Sequence, residues 1–349
     1  MVAVHRAGTR PGIPVLNPFP ASTPIPLIDS ADSITIAGHA MATRFEFVLC
    51  GGNPHSLRAA GEEAMEEIKR LEAELGFYQA GSEIHRLNNH AADAPVRVSP
   101  MLFDLLKRCR ELNEQTGGAF DVTVAPLLTC WGLAGGAGCF PSTEEIEEAR
   151  SRCGWDLVEF DACAMSIAFK KPGVMLDLGS VGKGYALDIA AEWLGESGVE
   201  SALLHGGTST SYAIGQPPDA DAWKLAIVRP EAGTTLDAAH GSPTDDDLLA
   251  TVALKDASLS VSAVWGKSFE HEGKIYGHVI DPRIGQPVGG ALLSAVVTSE
   301  ATTSDALATA LLALGETGHA KLQDTFCGLK SLVALPDTES GYRIVSNGV

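Results

Sequence analysis

Apolar and polar residues first fall into a regular order at about residue 33. Ile34 and Ile36, then Phe45, Phe47 and Leu49, alternate with their neighbours at period two, which predicts two strands with one buried face. Ala64, Ile68, Leu71 and Leu75 recur at helical spacing with acidic residues on the other side, predicting an amphipathic helix. The next helix is bounded more sharply. Ser99 can cap it, Pro100 suits its first position, Leu102, Leu105, Leu106, Cys109 and Leu112 form its stripe, and Gly117-Gly118 ends it. Ser142 and Glu145 have the spacing of a capping box and open a short third helix. Beyond Trp155 strand-forming runs dominate, around 156–159, 174–178, 202–204, 224–228 and 248–254. Helices at about 182–194 and 304–314 interrupt them, each expected to follow an apolar strand (174–176 and 293–297), and strands at 331–335 and 342–345 close the chain. No internal repeat appears, and strands and helices do not alternate regularly, so the expected class is α+β. Residues 1–32, rich in proline and without periodicity, are expected to form an extended or disordered arm, leaving 33–349 as one domain. The acidic, small-residue stretch at about 230–247 reads as a surface insertion.

Composition narrows the partners. A chain of 349 residues with 45% hydrophobic and 20% charged residues can bury a large core. A net charge of −19, with no local basic patch, repels phosphate backbones and anionic lipid, so neither nucleic acid nor a membrane surface is an expected partner. The seven cysteines are scattered without a C-x-x-C pair, which argues against a disulfide framework or a zinc site and leaves buried thiols in a reducing compartment as the expectation. The N-terminal segment lacks the apolar run of a signal peptide, and no stretch approaches about 18 apolar residues; the expected location is cytoplasmic.

Four segments carry candidate chemistry. In Thr302-Thr303-Ser304-Asp305-Ala306-Leu307-Ala308-Thr309, Asp305 and Thr309 stand one helical turn apart on one face, both oxygen ligands of the kind hard cations such as Mg²⁺ take. The same spacing equally suits an Asp complementing the helix dipole and a Thr bonded back to the preceding turn. The segment LDLGSVGKGYALD, from Leu176 to Asp188, offers a glycine-punctuated loop and Lys183 to a phosphate, yet matches neither the P-loop nor the G-x-G-x-x-G spacing. In GGAFDVTVAPLL, Gly117 and Gly118 free the backbone for close approach to a flat ligand, or simply end a helix. In HVIDPRIG, His278 precedes an Asp-Pro turn and could act as a general base or be structural; the other nine histidines form no metal-site spacing.

Taken in order, these segments, with Met41-Ala42-Thr43, SEIHRLN from Ser82, HGGTSTSYAIG from His205 and SDALATALLALG from Ser304, resemble the ApbE-type FAD:protein FMN transferase family over about residues 35–335. The resemblance implies a T-fold-like α+β architecture of mixed and antiparallel sheets with packed helices and a central FAD cleft. It implies a metal held by Asp305, Thr309 and an oxygen of the glycine-rich loop at Ser180. It places Met41, Tyr78, Ala119, Phe120, Asp121, Asp177, Lys183 and Ile280 against FAD, Tyr78 as a ring able to stack on the flavin. The implied reaction is Mg²⁺-dependent cleavage of the FAD diphosphate and transfer of FMN to a Ser or Thr hydroxyl of an acceptor protein, releasing AMP. Asp305 and Lys183 would stabilise charge at the phosphorus, and His278, with Asp281 or a metal-bound hydroxyl as alternatives, would take the hydroxyl proton. Two other readings use the same residues: an FAD pyrophosphatase giving FMN and AMP, and a non-catalytic FAD-binding protein. The sequence departs from the family pattern at Ala42, where Gly is usual, and at Thr208, where an acid is common.

Overall fold

The computed structural model describes residues 33–229, 248–265, 268–339 and 341–349; the expected arm and the expected insertion lie outside them. Its frame is an eight-stranded antiparallel sheet of β1 (Ser33–Ala40), β2 (Thr43–Cys50), β3 (Ser201–Gly206), β4 (Thr210–Ile214), β5 (Ala257–Ala263), β6 (Leu293–Thr298), β7 (Lys330–Asp337) and β8 (Gly341–Asn347). Order in space is order in sequence, each strand pairing with the next. Seven α-helices are described: α1 (Pro54–Leu75), α2 (Glu83–His90), α3 (Pro100–Thr116), α4 (Ala125–Cys130), α5 (Thr143–Arg150), α6 (Gly182–Glu196) and α7 (Ala301–Thr325). None is long and apolar enough to cross a membrane.

Period-two alternation sorts the sheet's side chains into two cores. On one face Phe45, Phe47, Leu49, Leu204 and Val333 pack with the apolar residues of α1, α6 and α7. On the other, Val48, Leu203, Ala213 and Leu259 are covered by a hairpin of Trp223–Val228 and Leu248–Leu254, which contributes Trp223, Ile227 and Val252. A third cluster surrounds Trp131, with Leu127, Phe269 and Ile280, and its aromatic rings come partly from the hairpin Ser268–His271 and Lys274–Gly277.

The predicted helix boundaries hold where caps set them. Ser99 accepts from Leu102 N (3.2 Å), Gly117 closes α3 with φ 62°, and Ser142 with Glu145 forms both halves of the capping box. The stripe residues of α1 and α3 are all buried.

Four expectations need correction. Residues 174–178 form no strand. The Asn88 amide takes the place of a partner strand, donating to Leu176 O (2.9 Å) and accepting from Leu176 N (2.8 Å), while Val122 O accepts from Asp177 N (2.8 Å). The strand near 156–159 begins only at Val158, because Trp155–Leu157 forms a 3-10 turn. The helix expected at 304 starts at Ala301 and continues to Thr325 through a non-helical Gly315 (φ 63°), so the polar cluster lies inside the first turns. Of the seven cysteines only Cys50 and Cys109 are buried; Cys139, Cys163 and Cys327 are exposed.

Candidate active site

The N-termini of α6 and α7 meet beside the sheet. Gly184 is the contact point: a Cβ there would lie 2.2 Å from Ala301 O and 2.9 Å from Asp305 Cβ, so only glycine permits the approach. The closeness lets Gly184 N donate to Asp305 Oδ2 (3.1 Å) and sets Lys183 Nζ 3.6 Å from the same oxygen. Lys183 also donates to Gly179 O (3.4 Å), bridging the glycine loop and the carboxylate. Asp305 is buried, and its Oδ1 accepts from Thr210 Oγ1 on β4 (3.3 Å). One turn on, Thr309 Oγ1 donates to Asp305 O (3.2 Å), the back-bond expected of a mid-helix threonine, and lies 3.4 Å from Ser262 Oγ.

Each helix end is closed differently. Val181 gives α6 no side-chain cap, but its first turn is not bare: Gly182 N donates to Leu178 O (2.7 Å) and Gly184 N to Asp305 Oδ2 (3.1 Å), beside the loop that carries exposed Ser180. Glu300 likewise gives α7 no side-chain cap, but Asp188 of α6 accepts from Ala301 N (2.6 Å), Thr302 N (2.8 Å) and Thr302 Oγ1 (2.6 Å). Burial pushes the Asp188 carboxyl above its ordinary pKa, and these bonds pull it back.

The other expected contacts line the approach. Asp177 accepts from Gly179 N (2.7 Å), which shapes the turn leading to Ser180 and Lys183. Partial burial and then the Asp177 charge raise the Tyr78 phenol above its ordinary pKa. Tyr78 is 66% exposed, packs edge-on against Phe77 and faces the loop at Gly135. Met41, with Ala42, forms the β1–β2 turn and packs partly against the core. Ala119 and Phe120 are fully buried, and both polar groups of the Phe120 backbone bond internally, to Thr116 Oγ1 and Asn113 Nδ2. Asp121 accepts from Thr123 N (2.8 Å), and burial pushes its pKa up to about 6.

His278 lies half-buried between the strand Lys274–Gly277 and Ile280, whose side chain is in the Trp131 cluster. Asp281 is taken up by Arg283, whose Nε and Nη2 donate to its two oxygens (2.8 and 2.6 Å). Arg283 Nη2 also donates to Ala313 O (3.1 Å), tying the His278 turn to the helix of Asp305. Arg283, Asp188 and Thr210 thus hold the site together; all three lie in segments that carry the family resemblance, but none is among the candidate site residues the sequence singles out. The sequence signal for Asp188 is its place at the end of LDLGSVGKGYALD, on the helix that carries Lys183.

Among the described residues no three His, Cys, Asp or Glu side chains converge as a metal cage. One buried carboxylate with nearby hydroxyls is nonetheless a hard-oxygen set that suits Mg²⁺, which keeps waters and takes substrate phosphate oxygens rather than needing an all-protein cage.

Residues 41–332 match the model of the ApbE family. The chain is 30% identical over 301 residues to an FAD:protein FMN transferase of Treponema pallidum, covering 83% of this chain and 82% of that one. It is 27% identical over 293 residues to an FAD:protein FMN transferase of Vibrio cholerae, covering 82% and 83%. In structure it is similar to the ApbE protein of Thermotoga maritima, with a TM-score of 0.79 at 28% identity over 90% of this chain and 97% of that one. With most of its length, including every segment of the site, matched by the family model, the chain belongs to the ApbE family.

Proposed function

We propose that the chain is an FAD:protein FMN transferase that cleaves the diphosphate of FAD and links FMN to a Ser or Thr hydroxyl of an acceptor protein, releasing AMP. The observation that carries this reading is the meeting of Lys183 Nζ with Asp305 Oδ2 at 3.6 Å, beside the N-terminus of α6. A carboxylate that could hold a cation, a lysine and the positive end of a helix side by side suit a diphosphate better than a monoanion. Asp305 and Thr309, with Ser180 from the loop, would hold Mg²⁺, which when bound supplies charge neutralisation on the diphosphate oxygens. Lys183 would then turn from Asp305 toward phosphate, its second positive contact. Tyr78 and Asp177 would bind the flavin side, with the backbone of Ala119, Phe120 and Ile280 and the side chains of Met41 and Asp121 closing the cleft. The acceptor oxygen attacks the FMN phosphorus, the anhydride bond to AMP breaks, and the hydroxyl proton passes to His278. Asp281 is poorly placed for that role because Arg283 already engages both its oxygens.

Purified protein with FAD, Mg²⁺ and a flavin-acceptor domain is expected to release AMP and leave the acceptor covalently fluorescent. Asp305→Ala is expected to remove both signals, and Lys183→Ala to slow them about 10²-fold, the usual loss for one charge-stabilising contact. Normal turnover by Asp305→Ala would end the metal assignment. AMP without labelled acceptor would assign the cleft to FAD hydrolysis, and tight FAD binding without either product to an FAD-binding protein.

A further inference from the structure

We infer that Asp188 is a positioning residue for the divalent cation, acting through the first turn of α7; this rests on the metal reading of Asp305 given above. The three bonds that Asp188 accepts, at 2.6, 2.8 and 2.6 Å, all come from Ala301 and Thr302. These residues open the helix whose next turn carries Asp305. The helix has no cap of its own, since Glu300 makes no side-chain cap bond, so Asp188 supplies the cap from a neighbouring helix. Asp188 stands on α6 with Lys183 and Gly184, which both contact Asp305. One carboxylate therefore fixes the register of the two helix ends that build the site.

Its charge has a second effect. Two helix N-termini point toward one place, and each carries about half a positive charge. Asp188 neutralises the end of α7, while the end of α6 faces Asp305 through Gly184 N (3.1 Å). The positive end of α7 is thereby cancelled beside Asp305, whose carboxylate faces the end of α6 and Lys183. Without Asp188 the bare end of α7 would oppose a cation at Asp305, and the Asp305 carboxylate would lose its fixed distance from Gly184 N.

Mn²⁺, followed by its electron paramagnetic resonance signal in the presence of FAD, measures this directly. Asp188→Ala is expected to weaken Mn²⁺ binding about 10- to 100-fold, the range typical of residues that orient a metal ligand. Asp188→Asn keeps an acceptor for one backbone N–H but not the charge, and is expected to fall between Ala and the unaltered protein. FAD affinity without metal is expected to change less than about twofold in both, a split that general loosening of the cleft would not produce. If Asp188→Ala does not fold, Thr302→Val removes only the hydroxyl bond and is expected to weaken Mn²⁺ binding a few-fold. Unchanged Mn²⁺ affinity in folded Asp188→Ala, or an equal loss of metal-free FAD binding, overturns the assignment alone. Failure of the unaltered protein to bind Mn²⁺ with FAD present overturns the metal reading together with it.

Discussion

Met41 and Ala42 make the two-residue turn between β1 and β2 with φ of 51° and 58°, because Ala40 pairs directly with Thr43. Two positive φ values define the turn type that follows strand twist, and it ordinarily takes Asn-Gly. A residue with a Cβ pays roughly 1–2 kcal/mol to sit there, while glycine loses about 0.5–1 kcal/mol more chain entropy on folding. Strain wins by a small margin. Ala42→Gly is therefore expected to stabilise the protein by about 0.5–1 kcal/mol, read as a rise in the urea midpoint at unchanged slope; a fall would show that the alanine methyl packs usefully. The sequence showed the departure at Ala42 but not its cause, since backbone sign is invisible in a residue pattern without glycine. Asp305 and Lys183 were each legible as candidates; their 3.6 Å meeting, 122 residues apart in the chain, was not.

Elements were legible where their own residues set their ends. The caps at Ser99, Gly117 and Ser142 are local chemistry, and the structure keeps all three. Segment 174–178 shows the opposite case: its apolar run is that of a strand, but a side chain 88 residues earlier satisfies its backbone. Periodicity reports burial and extension, and says nothing of what the backbone bonds to. The start of α7 was missed for a similar reason, because its cap belongs to another helix. Leu176 is fully buried, so Asn88→Ala would strand a buried N–H and C=O, each costing about 1–3 kcal/mol. Asn88→Ala is expected to lose about 2–4 kcal/mol in urea unfolding and to weaken FAD binding, since Asp177 follows directly on the freed residue. A loss below about 1 kcal/mol would mean that water replaces the amide and that the segment is not held by it.

At the scale of the whole molecule, two buried groups make acid stability a contest. Asp121 is buried in the segment after α3, where its chain neighbours Phe120 and Val122 join the main core. His205 follows Leu203 at period two on the hairpin-covered face of the main sheet, where its Nδ1 lies 2.8 Å from Ser211 Oγ. Burial raises Asp121 from 3.8 to about 6 and lowers His205 from 6.5 to about 4. Each shift is worth about 3 kcal/mol at its limit. For Asp121 the folded protein holds a proton that the unfolded chain has released between pH 3.8 and about 6, so stability falls as pH rises through that window. For His205 the unfolded chain binds the extra proton between about pH 4 and 6.5, so stability rises over nearly the same window. In the unaltered protein the two slopes oppose. Asp121→Asn, which keeps the acceptor for Thr123 N, should match the unaltered protein near pH 3.5 and gain progressively to about pH 6 and above. His205→Gln should match it above about pH 6.5 and gain as pH falls toward 4. Burial also raises Asp188, but that contribution is common to all the variants and cancels in each difference. Asp121 bonds to Thr123 and His205 to Ser211, so the double variant should show the sum of the two gains at every pH. Urea midpoints at half-unit steps from pH 3.5 to 8 measure all three differences. A gain that does not vary with pH would show that the variant has altered packing, and that burial does not hold Asp121 protonated or His205 neutral in the folded protein.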